Sequence, residues 1–283
     1  MNQINKKTGS LYIVATPIGN LDDISNRALD ILKSVDIIAC EDTRHSGRLL
    51  ANYGIKNHLM SFHQHNENES AKKFISFLQK GNDIALISDA GTPLISDPGY
   101  PLVKQAHDHD IKVVPIVGAS AIIALLSCSG LPTNEFHFYG FLSAKSQQRQ
   151  QQLSEINNNT FTSIIYESTH RIIKCLADMQ LIFGDEKIIT IGRELTKTFE
   201  TIKRGNILEL KEFTESDNNQ QKGEFVIAIS GSESIVSAQV SSAQKQLASL
   251  LSENLPPKKA AKITAEFLDG KSKDIYQFII SKK

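Results

Sequence analysis

Residues 84–99 read Ile84-Ala85-Leu86-Ile87-Ser88-Asp89-Ala90-Gly91-Thr92-Pro93-Leu94-Ile95-Ser96-Asp97-Pro98-Gly99. The stretch begins with an apolar run and continues as a loop rich in glycine and proline. An apolar run without polar alternation is typical of a strand buried on both faces of a parallel sheet. Glycine and proline fix turns and allow close approach to the backbone. The stretch therefore predicts a buried strand that ends in a binding loop.

The same pattern recurs along the chain. In the first half, three more apolar runs, each followed by a helical pattern, cover residues 11–15, 37–40 and 113–117. Alternation of strands and helices is typical of an α/β fold with a mostly parallel sheet. After Gly130-Leu131-Pro132 a second series of strands is predicted at residues 136–139, 163–166, 188–191 and 225–229. We predict two tandem α/β domains, residues 1–130 and 131–236, followed by a helical tail at 237–283.

Composition excludes several classes of protein. The 283 residues, 40% of them hydrophobic, are enough for two globular domains with a core. The 31 basic residues equal the 31 acidic ones, which excludes a polycation that binds nucleic acid by charge alone. The three cysteines are far apart, and no run reaches the roughly eighteen apolar residues of a membrane helix. We expect a soluble protein of the reducing cytosol.

Charge is unevenly distributed along the chain. Residues 237–283 contain eight lysines and four acidic residues, a net charge of +4, which leaves −4 for the rest. Clustered lysines are typical of nucleic-acid contacts, so the tail is a candidate RNA-binding module. A solvated helical appendage without RNA contact is the alternative.

Several common motifs are missing. The sequence has no Gly-x-Gly pair and no Gly-x-Ser-x-Gly elbow, which argues against an ordinary dinucleotide-binding enzyme and a serine hydrolase. Two His-x-His pairs, at residues 63–65 and 107–109, have no third ligand placed by spacing. We therefore predict no metal site.

Four polar loops follow the four strands predicted in the first half. They cover residues 16–21, 41–45, 89–99 and 118–120. Ligands of open parallel sheets bind at the carboxyl ends of the strands, where these loops should meet. Hydroxyl groups for a ligand are available there on Thr92, Ser96 and Ser120. A binding site is predicted at this edge.

Six blocks of sequence resemble, in order, the bacterial 16S ribosomal RNA (cytidine-2′-O)-methyltransferase family of the tetrapyrrole methylase superfamily. The blocks are residues 11–21, 38–50, 61–67, 85–103, 166–171 and 193–200. The resemblance implies two tandem α/β domains of the class III methyltransferase type, with S-adenosylmethionine in the cleft between them, and a homodimer. The implied reaction is 2′-O-methylation of a cytidine ribose in the decoding region of 16S ribosomal RNA, naked or in the small subunit, in the cytoplasm.

The resemblance also implies which residues hold the cofactor: Pro17, Ala90, Gly91, Thr92, Ile95, Ser120 and Ala121, with Tyr166, Leu195 and Ala228 in the second domain. One departure from the family pattern is Val117-Gly118-Ala119-Ser120 in place of Pro-Gly-Pro-Ser. Another is Thr92, which replaces the acidic residue of the tetrapyrrole enzymes. The second departure argues against a tetrapyrrole substrate.

Methyl transfer to a ribose hydroxyl is helped by a group that accepts the hydroxyl proton. Three candidate catalytic residues follow predicted strands: Asp42, Glu167 and His170. The structural alternatives are helix capping for Asp42 and an ion pair with Arg171 or Arg193 for Glu167. Candidate contacts to RNA phosphates are Arg44, His45, Lys145, Arg171, Arg193 and Lys197, with surface salt bridges as the alternative.

Two other functions fit parts of the sequence. A tetrapyrrole methyltransferase would share the fold and the cofactor. A non-catalytic RNA-binding assembly protein would not need the cofactor loops.

Overall fold

A computed structural model of the chain describes residues 8–64, 67–232 and 240–281. The chain forms two compact units: Met1–Ile156 together with Phe161–Ser230, and Asn157–Thr160 together with Gly231–Lys283. Both predicted α/β domains fall in the larger unit. The predicted boundary at 236/237 lies outside the described residues, and the division of the chain into three domains stays a prediction.

The first half of the larger unit alternates strands and helices. Its elements are β1 (Leu11–Val14), α1 (Asn26–Ser34), β2 (Ile37–Cys40), α2 (Thr43–Asn52), β3 (Leu59–Ser61), α3 (Glu67–Gln79), β4 (Ile84–Ile87), α4 (Tyr100–Asp108), β5 (Val113–Ile116) and α5 (Ala121–Cys128). The strands form one parallel sheet in the order β3-β2-β4-β1-β5. The predicted α/β fold is confirmed, with β3 as an additional short strand.

Both faces of this sheet are buried, which explains the unbroken apolar runs. Leu86 packs in one cluster with Phe74 and Leu102, from α3 and α4. Its neighbour Ile87 belongs to another cluster, with Leu32 of α1 and Leu50 of α2. Successive strand residues point to opposite faces, so every position of a doubly covered strand is apolar.

The order of the strands locates a crevice in the sheet. Strands β1 and β4 are neighbours in the sheet. After β1 the chain continues to β2, toward one edge of the sheet, and after β4 it continues to β5, at the other edge. In open α/β sheets a ligand binds outside the carboxyl ends of two such strands. The loops after β1 and β4 are therefore adjacent at the edge where a site is predicted.

The second half of the larger unit contains a mixed sheet. Its elements are β6 (Phe136–Phe141), α6 (Ser146–Asn157), β7 (Thr162–Ser168), α7 (Ile172–Phe183), β8 (Ile188–Arg193), β9 (Thr201–Asn206), α8 (Ile207–Ser216) and β10 (Glu224–Ile229). The order is β6-β7-β10-β8-β9; β6 and β7 are parallel, and the other neighbours are antiparallel. Edge strand β9 is additional to the predicted strands.

Helix α5 joins the two halves of the larger unit. Its side chains Ile122 and Leu125 share a buried cluster with Ile164 of β7 and with Val226 and Ala228 of β10. The helix follows the last strand of the first sheet but packs on the second sheet. This shared core positions the carboxyl edge of the first sheet against the second.

The smaller unit is helical. It contains α9 (Ser242–Ser252), α10 (Pro257–Phe267) and α11 (Ser272–Ser281). Its core consists of Val240, Ala248, Ala260, Ala261, Ile275 and Ile279. No helix in the described part of the chain is long and apolar enough to span a membrane.

Candidate functional site

A cavity of about 290 Å³ lies at the carboxyl edge of the first sheet. One wall comes from the loops after β1 and β4 and from the start of α5, and the other comes from β6, β7, β10 and the loop after β8. The lining residues are Ile18, Ala90, Gly91, Thr92, Ile95, Ser96, Asp97, Ser120, Ala121, Phe141, Tyr166, Glu167, Ser168, Leu195, Lys197, Glu224, Phe225 and Val226. Both α/β halves therefore contribute to one site.

The loop after β4 is held by hydrogen bonds from its own hydroxyl groups. The Ser88 hydroxyl donates to the carbonyl of Gly91 at 3.2 Å, and the Thr92 hydroxyl donates to the carbonyl of Ala119 at 3.0 Å. Leu94 and Ser96 have φ angles of 73° and 66°, in the left-handed region. Such strain costs non-glycine residues about 1–2 kcal/mol and is found mainly at functional sites.

Gly91 is required by this geometry. Its φ of +80° is rarely adopted by other residues, and a Cβ atom would lie 3.2 Å from Cγ2 of Ile18. Gly118 is the glycine that the sequence Val117-Gly118-Ala119-Ser120 shares with the family pattern Pro-Gly-Pro-Ser. A Cβ atom at Gly118 would lie 2.9 Å from Cβ of Ala15. The two glycines allow the loops after β4 and β5 to approach the loop after β1 closely.

Most of the ten residues that the resemblance assigns to a cofactor border the cavity. The eight on its wall are Ala90, Gly91, Thr92, Ile95, Ser120, Ala121, Tyr166 and Leu195. Pro17 is buried beside it, and Ala228 lies deeper in β10, fully buried in the cluster around α5. Val226, two residues earlier on β10, borders the cavity instead.

Asp42 lies away from the cavity wall and caps α2. Its carboxylate accepts hydrogen bonds from the backbone amides of Arg44 at 2.8 Å and His45 at 3.4 Å. The hydrogen bond from Arg44 is the main cause that holds the pKa of Asp42 below its usual value. This contact corresponds to the capping role predicted as the alternative; a catalytic role for Asp42 stays a prediction.

Glu167 borders the cavity but is only 2% exposed. Its Oε1 atom lies 2.9 Å from Nε of Arg171, and its Oε2 accepts a hydrogen bond from the same guanidinium at 3.2 Å. The backbone amide of Ser168 also donates to Oε1, at 2.9 Å. The carboxylate is therefore paired with the guanidinium of Arg171, and its role in proton transfer stays a prediction.

His170 borders a different, open cavity together with Lys174 and Lys222. Of the three candidate catalytic residues, Glu167 alone borders the first cavity.

The six candidate RNA-binding residues fall into two groups. Arg44, His45 and Lys145 are exposed, and Arg44 forms an exposed ion pair with Asp42 at 3.5 Å. The other three are engaged by the protein: Arg171 with Glu167, Arg193 with the carbonyls of Lys222 and Phe199, and Lys197 with Glu194 and Glu224. Among these three, Lys197 borders the cavity.

Sequence reasoning missed two titratable residues of the cavity wall: Glu224, which is paired with Lys197, and Asp97. It lies in the loop quoted above, but its environment depends on the fold. Burial, reinforced by the negative charges of Glu41 and Asp89, raises the pKa of Asp97 to about 6. Burial, with a smaller contribution from Asp97, raises the pKa of Tyr166 on the opposite wall to about 12.

The family model for tetrapyrrole (corrin/porphyrin) methylases matches residues 10–211. The chain is 50% identical to ribosomal RNA small subunit methyltransferase I of Haemophilus influenzae over 272 residues, 96% of each chain. It is 48% identical to the protein of the same name from Pasteurella multocida, over 97% of this chain and 98% of that one. The chain belongs to this methyltransferase family.

Similarity to solved structures supports the same fold. The X-ray structure of a cobalt precorrin-4 methyltransferase of cobalamin biosynthesis superposes with a TM-score of 0.57, covering 77% of this chain and 94% of that one. The two sequences are 15% identical, so this likeness concerns the fold alone. Within the methylase fold, the sequence similarity lies with the ribosomal RNA methyltransferases I, and a tetrapyrrole substrate is not favoured.

In the described residues, no group of three or more histidine, cysteine, aspartate or glutamate side chains is arranged to hold a metal ion.

Proposed function

We propose that the protein transfers a methyl group from S-adenosylmethionine to the 2′-hydroxyl of a cytidine ribose in the decoding region of 16S ribosomal RNA. The observation that carries the proposal is the cavity at the strand switch of the first sheet, in a chain similar over nearly its full length to ribosomal RNA small subunit methyltransferases I. The substrate is this RNA, naked or within the small ribosomal subunit.

The cavity fits a cofactor with an apolar and a polar part. Ile18, Leu195 and Val226 supply the apolar part of the wall, while the hydroxyl groups of Ser96 and Ser120 supply polar groups. A few polar groups in an apolar cavity are typical of small-molecule sites. When bound, S-adenosylmethionine supplies a methyl group on a positively charged sulfur, which is a good leaving group and needs no acid.

The protein's main contribution is then to position the ribose hydroxyl in line with that methyl group. Holding two reacting atoms in line contributes about 7–11 kcal/mol to catalysis. The rigid loop after β4, fixed by Ser88 and Thr92, and the shared core around α5 provide such a fixed site.

The cavity mouth offers a surface for an unstacked base. Phe141 is 55% exposed, and its ring centroid lies 5.5 Å from that of Tyr166. Aromatic side chains stack on single-stranded bases, and enzymes that act on a nucleotide take it out of its stack. We place the target cytidine against Phe141. The exposed side chains of Arg44, His45 and Lys145 bind flanking phosphates, and the basic helical unit also binds RNA.

The proposal includes a cytoplasmic homodimer, as the resemblance implies. Sedimentation analysis of the purified protein over a range of concentrations tests this part, and a monomer at micromolar concentration contradicts it.

Two measurements test the proposed reaction. Calorimetry with S-adenosylmethionine distinguishes an enzyme from a non-catalytic RNA-binding protein, which should show no binding. Mapping of 2′-O-methyl groups on 16S ribosomal RNA from a strain that lacks the gene should reveal one unmethylated cytidine, restored by the gene. Fully methylated RNA in that strain contradicts the proposal and leaves another substrate.

A further inference from the structure

Three carboxylates border the cavity, and they differ in their partners. Glu167 is paired with Arg171 at 2.9 Å, and Glu224 with Lys197 at 2.8 Å. Asp97 forms no ion pair with any of the residues that the structure describes. A carboxylate neutralised by a cation is a weak proton acceptor. Among the three carboxylates of the wall, Asp97 is therefore the one available to accept a proton.

The groups around Asp97 favour proton uptake. Glu41, directly after β2, and Asp89, at the start of the loop after β4, act on it with negative charge. Tyr166 on the opposite wall is a neutral phenol at physiological pH, because its pKa is raised to about 12. Only the hydroxyl of Ser88, which hydrogen-bonds the Asp97 carboxylate, acts in the other direction. The raised pKa of Asp97, about 6, follows mainly from burial and then from these neighbours.

A proton acceptor for a hydroxyl works best when its pKa is near the working pH, because it is then ionised yet basic enough to take the proton. An ordinary aspartate, with a pKa of about 3.9, is a weaker base. Asp97 therefore combines access to the cavity with suitable basicity, and unlike Glu167 and Glu224 it is not paired with a cation.

The backbone fixes Asp97 in place. It follows Ser96, whose φ is 66°, and precedes Pro98, so residues on both sides restrict the chain. The amide of Gly99 donates to Oε2 of Glu67 at 3.4 Å, and Gly99 caps α4. These contacts restrict the backbone from which the Asp97 side chain extends.

We propose that Asp97 is the catalytic residue that accepts the proton of the ribose 2′-hydroxyl; this rests on the reaction proposed above. The ribose oxygen forms a bond to the methyl carbon as the bond between carbon and sulfur breaks, and that electron pair goes to sulfur. The hydroxyl proton passes to the Asp97 carboxylate and then to solvent. The products are the 2′-O-methyl nucleotide and the neutral thioether.

The test compares Asp97→Asn with wild-type protein in single-turnover methyl transfer to small ribosomal subunits that lack the modification. We expect the wild-type rate to rise with pH and level off above a midpoint near 6. The Asp97→Asn variant should transfer the methyl group at least about 10²-fold more slowly than the wild-type protein. Its affinity for S-adenosylmethionine, measured by calorimetry without RNA, should change less than threefold. Asp108→Asn, an exposed aspartate paired with Lys104, is the matched control and should retain the wild-type rate.

A second variant addresses the case in which Asp97→Asn fails to fold. Glu41→Gln removes a negative charge beside Asp97 without touching the cavity wall, so the midpoint of the pH profile should move to lower pH. Titration of the Asp97 carboxyl carbon by NMR, without cofactor or RNA, should show the same downward shift. If Asp97 has a purely structural role, its own titration still shifts in Glu41→Gln, but the midpoint of the pH profile of methyl transfer does not.

The outcomes separate the inference from the proposed function. If wild-type protein leaves the ribose unmethylated, the proposed function fails. If wild-type protein methylates it and Asp97→Asn retains the rate, or Glu41→Gln leaves the midpoint unchanged, the assignment of Asp97 is overturned while the proposed function stands.

Discussion

Thr16 and Gly91 exchange two backbone hydrogen bonds: the amide of Thr16 donates to the carbonyl of Gly91 at 2.9 Å, and the amide of Gly91 donates to the carbonyl of Thr16 at 3.0 Å. The pair joins the loop after β1 to the loop after β4. These two neighbouring strands are connected to strands on opposite sides of the sheet, β1 to β2 and β4 to β5. The crevice expected at such a point is therefore closed at its base by main-chain contacts, and Gly91 forms part of its wall.

Gly91→Val should reduce cofactor binding. The new side chain starts 3.2 Å from Cγ2 of Ile18 and extends where the cofactor is proposed to lie. We expect the affinity for S-adenosylmethionine, measured by calorimetry, to fall at least tenfold. Gly54→Val is the control, because Gly54 has a similar φ of +67° but has nothing within 4 Å of a Cβ atom.

Both glycine variants should lose about 1–2 kcal/mol of stability from backbone strain. Only Gly91→Val should lose cofactor affinity. Equal affinities in the two variants contradict the placement of the cofactor against this loop.

The buried ion pair of Arg149 and Asp178 should make stability depend on pH. Arg149 is 2% exposed, and its Nε donates to Asp178 at 2.7 Å. Burial alone would raise the pKa of Asp178, but hydrogen bonds from Gln150, Ser146 and Arg149 outweigh it and hold the pKa below its usual value. A lowered folded-state pKa stabilises the fold above the unfolded pKa and loses this contribution as pH falls through the folded value.

We therefore expect the urea concentration at the midpoint of unfolding to decrease as the pH is lowered below about 4, the range in which a free aspartate titrates. Asp178→Asn should be destabilised by about 3 kcal/mol at pH 7, because Arg149 is left buried without its counter-ion. It should also lose part of the acid sensitivity. A variant with wild-type stability at neutral pH shows that the pair contributes little.

The sequence predicted the first sheet and the loops at its carboxyl edge because buried parallel strands leave an unbroken apolar pattern. It missed β3, which is three residues long, and the polar edge strand β9. It also missed the wall formed by residues 224–226. That wall depends on antiparallel pairing of β10 between β7 and β8, which no local pattern encodes.

Asp97 was missed for a different reason. Its loop was recognised, but the raised pKa depends on Glu41, which lies 56 positions earlier and directly after β2. Only the neighbouring position of β2 and β4 in the sheet brings the two carboxylates close.

The lysines of α10 should contribute to RNA binding. Lys258, Lys259 and Lys262 are exposed, in the tail whose net charge is +4. Replacing all three by glutamine should weaken RNA binding. It should also reduce the slope of log affinity against log salt by about 2, since each phosphate contact to single-stranded nucleic acid contributes about 0.7. Filter binding at several salt concentrations measures both.

The matched control replaces three exposed lysines of the first α/β half by glutamine: Lys33, Lys56 and Lys80. They precede β2, β3 and β4 and therefore lie at the amino ends of the strands, away from the cavity. The control should keep the wild-type slope. If both triple variants behave alike, the helical unit is an appendage without specific RNA contact.

The last prediction concerns Glu167 and Arg171. The carboxylate is fully buried, whereas the guanidinium is 26% exposed and also donates to the carbonyl of Leu142. Removing one partner of a fully buried pair costs about 3–5 kcal/mol, and we expect about 2 kcal/mol for this partly exposed one. Glu167→Gln and Arg171→Met should therefore lower the melting temperature to similar extents.

The same variants decide whether Glu167 takes part in proton transfer. If its role is to hold the cavity wall, Glu167→Gln should slow single-turnover methyl transfer less than tenfold and keep the pH profile of the wild-type protein. A role as proton acceptor requires a loss of about 10²-fold with unchanged cofactor affinity. In that case Arg171→Met, which keeps the carboxylate and removes its cation, should retain more of the wild-type rate than Glu167→Gln. A slow Glu167→Gln variant combined with a fully active Asp97→Asn variant assigns the proton acceptor to Glu167.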